Sequence, residues 1–222
     1  MTSPRLLRQA RAHLAAVDAQ WEHLLALAGP CRLQTEQTRE PYEALIRAVA
    51  SQQIHGKAAA AILARFLALF EQTAQGDDGF PSPERILTIS NEQLRACGFS
   101  ARKVESIQGI ARGALDGRIP DRREAAALDD ETLIERLVTL KGIGRWTVEM
   151  LLMFSLGRMD ILPVDDFGVR EGHRRMRGLA AQLKPKALAE EGLAWRPYRS
   201  VAAWYLWRAN ELPAYRMKTD AS

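Results

Sequence analysis

The sequence predicts an all-α protein built from many short helices. Apolar residues recur at spacings of three and four along almost the whole chain, which is the helical period. Proline and glycine interrupt that pattern at frequent intervals, so the helices are short. Alternation of the kind a half-buried strand needs is scarce, with Arg32 to Gln37 the single weak candidate. A chain of 222 residues, 47% of them hydrophobic, suits one domain or two small lobes sharing a cleft.

A first helix is expected over Arg5 to Leu27, ended by Gly29-Pro30. Pro41 opens a mostly buried helix that runs on from Tyr42 toward Ile54, with proline at a first helical position. Ala58 to Phe70 is an alanine-rich apolar helix, and Gln72 to Pro83 a polar loop. A short helix starts at Ser82 or Pro83, and Ser90 caps another that ends before Gly98. Arg102 to Leu115 follows. After Pro120, Asp129 caps a helix reaching Thr139. Gly142 and Gly144 form a tight turn, and Trp146 to Leu156 is strongly apolar. A further helix starts at Asp165-Asp166, and Ser200 to Asn210 is an aromatic-rich last helix.

Composition excludes several classes. No apolar run is long enough to span a membrane. The basic, polar start of the chain lacks a secretory signal, so a cytoplasmic protein is expected, nucleoid-associated if bacterial. Cys31 and Cys97 are the only cysteines, too few for a four-cysteine cluster, and the four histidines have no metal-ligand spacing. Net charge is +4. The basic residues gather at Arg102–Lys103, Arg122–Arg123 and Arg170 to Arg177. Such a distribution suits a phosphate backbone and equally suits ordinary solvated helix faces.

The most specific stretch is Leu140-Lys-Gly-Ile-Gly-Arg-Trp-Thr147. Its glycines permit a tight turn and close approach of a ligand to the backbone. The helix that begins there directs unsatisfied N–H groups outward, and these bind phosphate without a lysine. A second feature is Leu162-Pro-Val-Asp-Asp-Phe-Gly-Val-Arg170. One aspartate there can cap a helix, but two exceed what a cap requires. A carboxylate beside a helix N-terminus is favoured as the anion.

The string Leu140-x-Gly-Ile-Gly-x-x-Thr147, followed by Pro163-Val-Asp-Asp166, resembles the helix-hairpin-helix superfamily of DNA repair glycosylases. The closest subgroup is 3-methyladenine DNA glycosylase II, the alkylbase glycosylases, here in a compact form without an N-terminal α/β region. The resemblance covers roughly residues 40 to 210. It implies one domain of two helical lobes: roughly 40–120, and 121–222 with a hairpin at 133–156. It further implies that Gly142, Gly144 and Thr147 face a DNA phosphate. A monovalent cation, Na+ or K+, would sit at the carbonyls of Val138, Leu140 and Ile143, with no other cofactor required. Asp166 is the implied catalytic carboxylate. The Val-Asp-Thr-His pattern of the endonuclease III branch would select Asp165 instead, leaving Asp165 as alternative or support.

The family's lysine nucleophile stands two residues past the second hairpin glycine, where this chain has Trp146. With no cysteine after Cys97 either, the resemblance implies a monofunctional enzyme. Tyr42, Gln53, Trp146, Phe167 and Trp204 are the candidate base pocket, and core packing is the ordinary role of such aromatics. The loop Phe99-Ser100-Ala101-Arg102 matches the family's wedge. Ala101 stands where the family has leucine, so Phe99 or Arg102 would fill the gap. The implied function is excision of alkylated purines, such as 3-methyladenine and 7-methylguanine, from double-stranded DNA by a monomer. Two alternatives stay open: a glycosylase for a deaminated or oxidised base, and a non-catalytic DNA-binding module.

Overall fold

The computed structural model describes residues 3–36, 38–52, 54, 56–71 and 80–216. Among these residues the fold is all-α, without a strand. The helices are α1 (Pro4–Ala15), α2 (Ala19–Ala28), α3 (Pro41–Ser51), α4 (Gly56–Glu71), α5 (Pro83–Thr88), α6 (Asn91–Ala96) and α7 (Ala101–Leu115). They continue with α8 (Arg122–Ala127), α9 (Asp130–Leu137), α10 (Arg145–Phe154), α11 (Phe167–Arg177), α12 (Pro185–Glu191), α13 (Arg199–Ala209) and α14 (Pro213–Arg216). A 3-10 turn, Gly192–Trp195, precedes α13.

Local chemistry sets the boundaries. The expected helix over Arg5 to Leu27 is two helices, because Asp18 accepts from the Gln20 and Trp21 N–H groups and starts α2 anew. Helix α8 was not anticipated; Asp121 caps it by accepting from Glu124 N. Ser90 and Gln93 form a capping box at α6, and Ser100 and Asp129 cap α7 and α9. The stretch after Cys31 is not a strand; Glu36 N donates to the Phe154 carbonyl at 2.8 Å.

The chain divides into two compact units: residues 38–151, and residues 1–37 together with 152–222. Within the first of these, α8 and α9 are tied to what precedes them. Arg136 donates to the carbonyls of Arg118 (2.8 Å) and Gly117 (2.6 Å). Arg122 donates to the Arg39 carbonyl at 2.6 Å and, through its backbone N–H, to Glu40 at 3.0 Å.

In the unit of 38–151, α7 packs on α3 and α5. Phe66 stands edge-on to both Phe70 and Phe99 in the core. In the other unit, α11 lies against α13, and the buried indoles of Trp21 and Trp195 meet edge to face at 5.1 Å. Among the described residues, no helix is long and apolar enough to cross a membrane.

Candidate active site and nucleic-acid interface

The hairpin between α9 and α10 rests on α7. Gly142 has φ +82°, and a Cβ there would fall 1.9 Å from Ser106 Oγ. A Cβ on Gly113 would fall 2.6 Å from Leu140 Cδ2, and one on Gly109 3.9 Å from the Lys141 carbonyl. Ser106, Gly109 and Gly113 are three and four residues apart, on one face of α7. That small-residue face is the seat of the hairpin. Ile143 is buried beneath the turn, and its N–H donates to the Leu140 carbonyl at 3.1 Å.

Gly144 is different. It has no positive φ, and nothing lies within 4 Å of where its Cβ would stand. The helix α10 starts at the next residue, and its Thr147 and Val148 N–H groups donate to the Gly144 carbonyl at 3.0 and 3.3 Å, which sets Gly144 at the positive end of the helix. This is the surface where an anion can approach the backbone.

Thr147 does not share that surface. It is only 2% exposed, and its hydroxyl accepts from Gln52 Nε2 at 3.0 Å. A buried hydroxyl cannot reach a phosphate; it fixes α10 to the end of α3. The same end of α3 is held by Lys103, whose Nζ donates to the carbonyls of Ala50 (2.9 Å) and Gln52 (2.8 Å). Burial lowers the Lys103 pKa from its usual value.

The turn's carbonyls suit the oxygen preference of an alkali ion, and that of Leu140 keeps a second lone pair beside its bond from Ile143. Among the described residues there is no cluster of three or more His, Cys, Asp or Glu that could hold a metal. In the expected wedge loop, Phe99 is turned inward against Phe66 and Ser100 caps α7, whereas Ala101 and Arg102 are exposed. Of the four, Phe99 alone is buried; Ser100 is exposed as well.

The carboxylate belongs to the other unit. Asp166 is the N-cap of α11: its Oδ1 accepts from Val169 N at 2.7 Å and from Trp207 Nε1 at 2.8 Å. Its own N–H donates to the Pro163 carbonyl at 3.0 Å, so the proline sets the approach to the cap. Asp165 is exposed while Asp166 is half-buried. A water-restricted, rigidly held carboxylate is suited to stabilising a developing cation.

The aromatic candidates divide between the units. Tyr42 and Trp146 lie in the unit of 38–151; Tyr42 donates to the Pro81 carbonyl at 3.1 Å and meets Phe80 edge-on. Phe167 and Trp204 lie in the unit of Asp166. Phe167 is 68% exposed, and Trp204 stands edge-on to Tyr205 with the Arg208 guanidinium 5.9 Å from its ring. Gln53 lies outside the described residues. Trp207 was not singled out from sequence. Nothing in the spacing of Trp204 and Trp207 tells which indole reaches Asp166.

Two lysines outside the family's nucleophile position are accounted for. Lys103 is committed to the α3 carbonyls, and Lys141 is an exposed partner of Glu105 at 2.6 Å. Within the basic run on α11, Arg174 and Arg175 pair with Glu171, and Arg177 pairs with Asp18. The Arg170 side chain makes no hydrogen bond or ion pair among the described residues, and its Nε is buried without a partner.

The hairpin, its seat and the capping carboxylate define a class, and comparison with known proteins gives it a name. Residues 46–197 match the family model of the HhH-GPD superfamily base excision DNA repair proteins, and the chain belongs to that family. It is 45% identical over 210 residues to DNA-3-methyladenine glycosylase 1 of Schizosaccharomyces pombe, covering 94% of this chain and 90% of that protein. The solved structure of the S. pombe 3-methyladenine DNA glycosylase Mag1 in complex with abasic DNA superposes with a TM-score of 0.82, covering 93% of this chain and 98% of that one. A DNA-3-methyladenine glycosidase from Bacillus halodurans, 35% identical, superposes with a TM-score of 0.75 over 94% of this chain and 89% of that one.

Proposed function

We propose that this protein is a monofunctional DNA glycosylase that removes alkylated purines, of the 3-methyladenine and 7-methylguanine type, from double-stranded DNA. The observation that carries the reading is Asp166, a half-buried carboxylate whose Oδ1 is held by two N–H donors at 2.7 and 2.8 Å. The S. pombe and B. halodurans relatives support the substrate class, since both carry 3-methyladenine in their names.

The chemistry follows from the parts. Gly142 shapes the hairpin, and Gly144 with the start of α10 receives a DNA phosphate. The carbonyls of Val138, Leu140 and Ile143 are the proposed ligands of a monovalent cation. The damaged nucleotide is flipped from the stack and its base meets aromatic faces, for which Tyr42, Trp146, Phe167 and Trp204 are the candidates. An alkylated purine is cationic, and such faces attract it by ~0.5–2 kcal/mol. Its charge also weakens the bond to C1′. As that bond breaks, the base leaves with the electron pair, and Asp166 stabilises the oxocarbenium-like sugar. Water adds at C1′ and gives up a proton, leaving an abasic site in an intact strand. No lysine attacks, because the nucleophile's position is Trp146.

The protein is proposed to act as a monomer. Its exposed large apolar side chains among the described residues come from six separate segments: Leu27, Ile54, Leu115, Val138, Phe167 and Leu193. Light scattering of the purified chain checks this.

The test is release of free base from methylated duplex DNA. Free 3-methyladenine is expected, with strand cleavage appearing only after hot alkali and no borohydride-trapped adduct. Asp166→Asn is expected to lower single-turnover excision by roughly 100-fold or more. A folded Asp166→Asn protein with full activity would remove Asp166 from the reaction. Tight binding without base release would favour a DNA-binding module, and release of another base only would move the substrate class.

A further inference from the structure

Helix α11 presents Gly168 and Gly172 on one face, four residues apart. A Cβ at Gly172 would fall 1.8 Å from the Leu206 carbonyl oxygen, and one at Gly168 would fall 2.9 Å from Trp207 Cδ1. Only glycine lets α13 come this close. The approach brings Asn210 Nδ2 within 2.8 Å of the Gly168 carbonyl, and it brings the Trp207 indole to the carboxylate that begins α11.

We propose that Trp207 is a positioning residue for the Asp166 carboxylate, an inference that rests on the glycosylase reading above. The indole N–H and the Val169 N–H meet the same oxygen, Oδ1. Two donors on one oxygen fix the plane of the carboxylate and hence the direction in which Oδ2 points. Capping alone does not need the second donor, because Val169 N already satisfies it. Nor does burial of an indole in this unit require an acceptor. Trp21 and Trp195 are fully buried there, and their Nε1 atoms have no hydrogen-bond partner. Trp207 spends its N–H on a charged acceptor, the stronger kind of hydrogen bond. Its ring is itself held, stacked on Phe154 with 6.1 Å between centroids and planes 25° apart.

The experiment is a double-mutant cycle read by single-turnover excision of 3-methyladenine from saturating duplex. Trp207→Phe keeps a ring for Phe154 and deletes the N–H. It is expected to slow excision by roughly 10- to 100-fold while affinity for an abasic duplex stays within about threefold of the unmodified chain. In an Asp166→Asn background the same change should cost almost nothing further, because the group it positions is already disabled. An equal loss in both backgrounds would show a structural role and overturn the proposal. So would wild-type rates in Trp207→Phe, which would leave the glycosylase reading intact. An unmodified chain that releases no base would overturn both. Should Trp207→Phe fail to fold, the Trp207 indole 15N–1H resonance decides. It is expected to move further on Asp166→Asn than any other indole resonance, and its staying in place would refute the contact.

Discussion

Gln52 and Thr147, far apart in sequence, are joined by a hydrogen bond of 3.0 Å from the glutamine amide to the threonine hydroxyl. The bond ties the last turn of α3 to the first turn of α10, just behind the hairpin. A residue whose motif suggests phosphate contact serves instead to fix the hairpin's following helix. Thr147→Val removes a buried acceptor and is expected to cost about 1–2 kcal/mol, with Thr147→Ser recovering most of it. Denaturant melts of the two variants measure this.

The two hairpin glycines should separate stability from binding. Gly142→Ala introduces a Cβ into Ser106 at φ +82°, and about 2–4 kcal/mol of destabilisation is expected from strain and overpacking together. Adding Ser106→Gly should return the overpacking part and leave the backbone strain. Gly144→Ala meets nothing within 4 Å, so its melting temperature should be unchanged while its Kd for duplex DNA rises. A Gly144→Ala protein with unaltered affinity would remove the phosphate from that position.

Arg170 should behave as a cation reserved for DNA. Its side chain has no partner among the described residues, unlike those of Arg174, Arg175 and Arg177 on the same helix. Arg170→Ala is expected to weaken binding and to lower the slope of log K against log salt by about one. Affinities measured across a salt series give that slope directly.

Glu171 carries a pH signature. Hydrogen bonds from Arg174 first, and then from Gln182 and Arg175, hold its pKa at about 2, against an ordinary 4.5. Its folded pKa lies below its unfolded one. Its contribution to stability is therefore present above about pH 4.5 and is lost as pH falls toward 2. Glu171→Gln should melt below the unmodified chain at pH 7, and the gap should close as pH falls through that window. A gap independent of pH would mean that the carboxylate's charge is not what Glu171 contributes.

Much of this was readable in the amino acids. Capping residues placed α6 and α9, and the glycine hairpin followed by Asp166 pointed to the family. Other features depend on distance, not on local pattern. The break at Asp18 hides inside an unbroken apolar period. The seat on α7 is visible only once Ser106, Gly109 and Gly113 are set against residues some thirty positions later. Trp207 outranks Trp204 at the carboxylate because Gly168 and Gly172 admit one turn of α13, and no spacing within α13 says so. Phe99 has the size of a wedge, but the hydrophobic core claimed it.

The unit that carries Asp166 is split by the other unit in the linear chain: residues 1–37 and 152–222 flank 38–151. Trp21 therefore cannot meet Trp195 until nearly the whole polypeptide has been made, whereas the hairpin and its seat lie within one continuous segment. On the ribosome, the part proposed to grip DNA can fold early, as local segments do. The carboxylate and the indole that holds it come from opposite ends of the late-emerging segment. On the proposed roles, a nascent chain completes its phosphate grip before its chemistry is assembled.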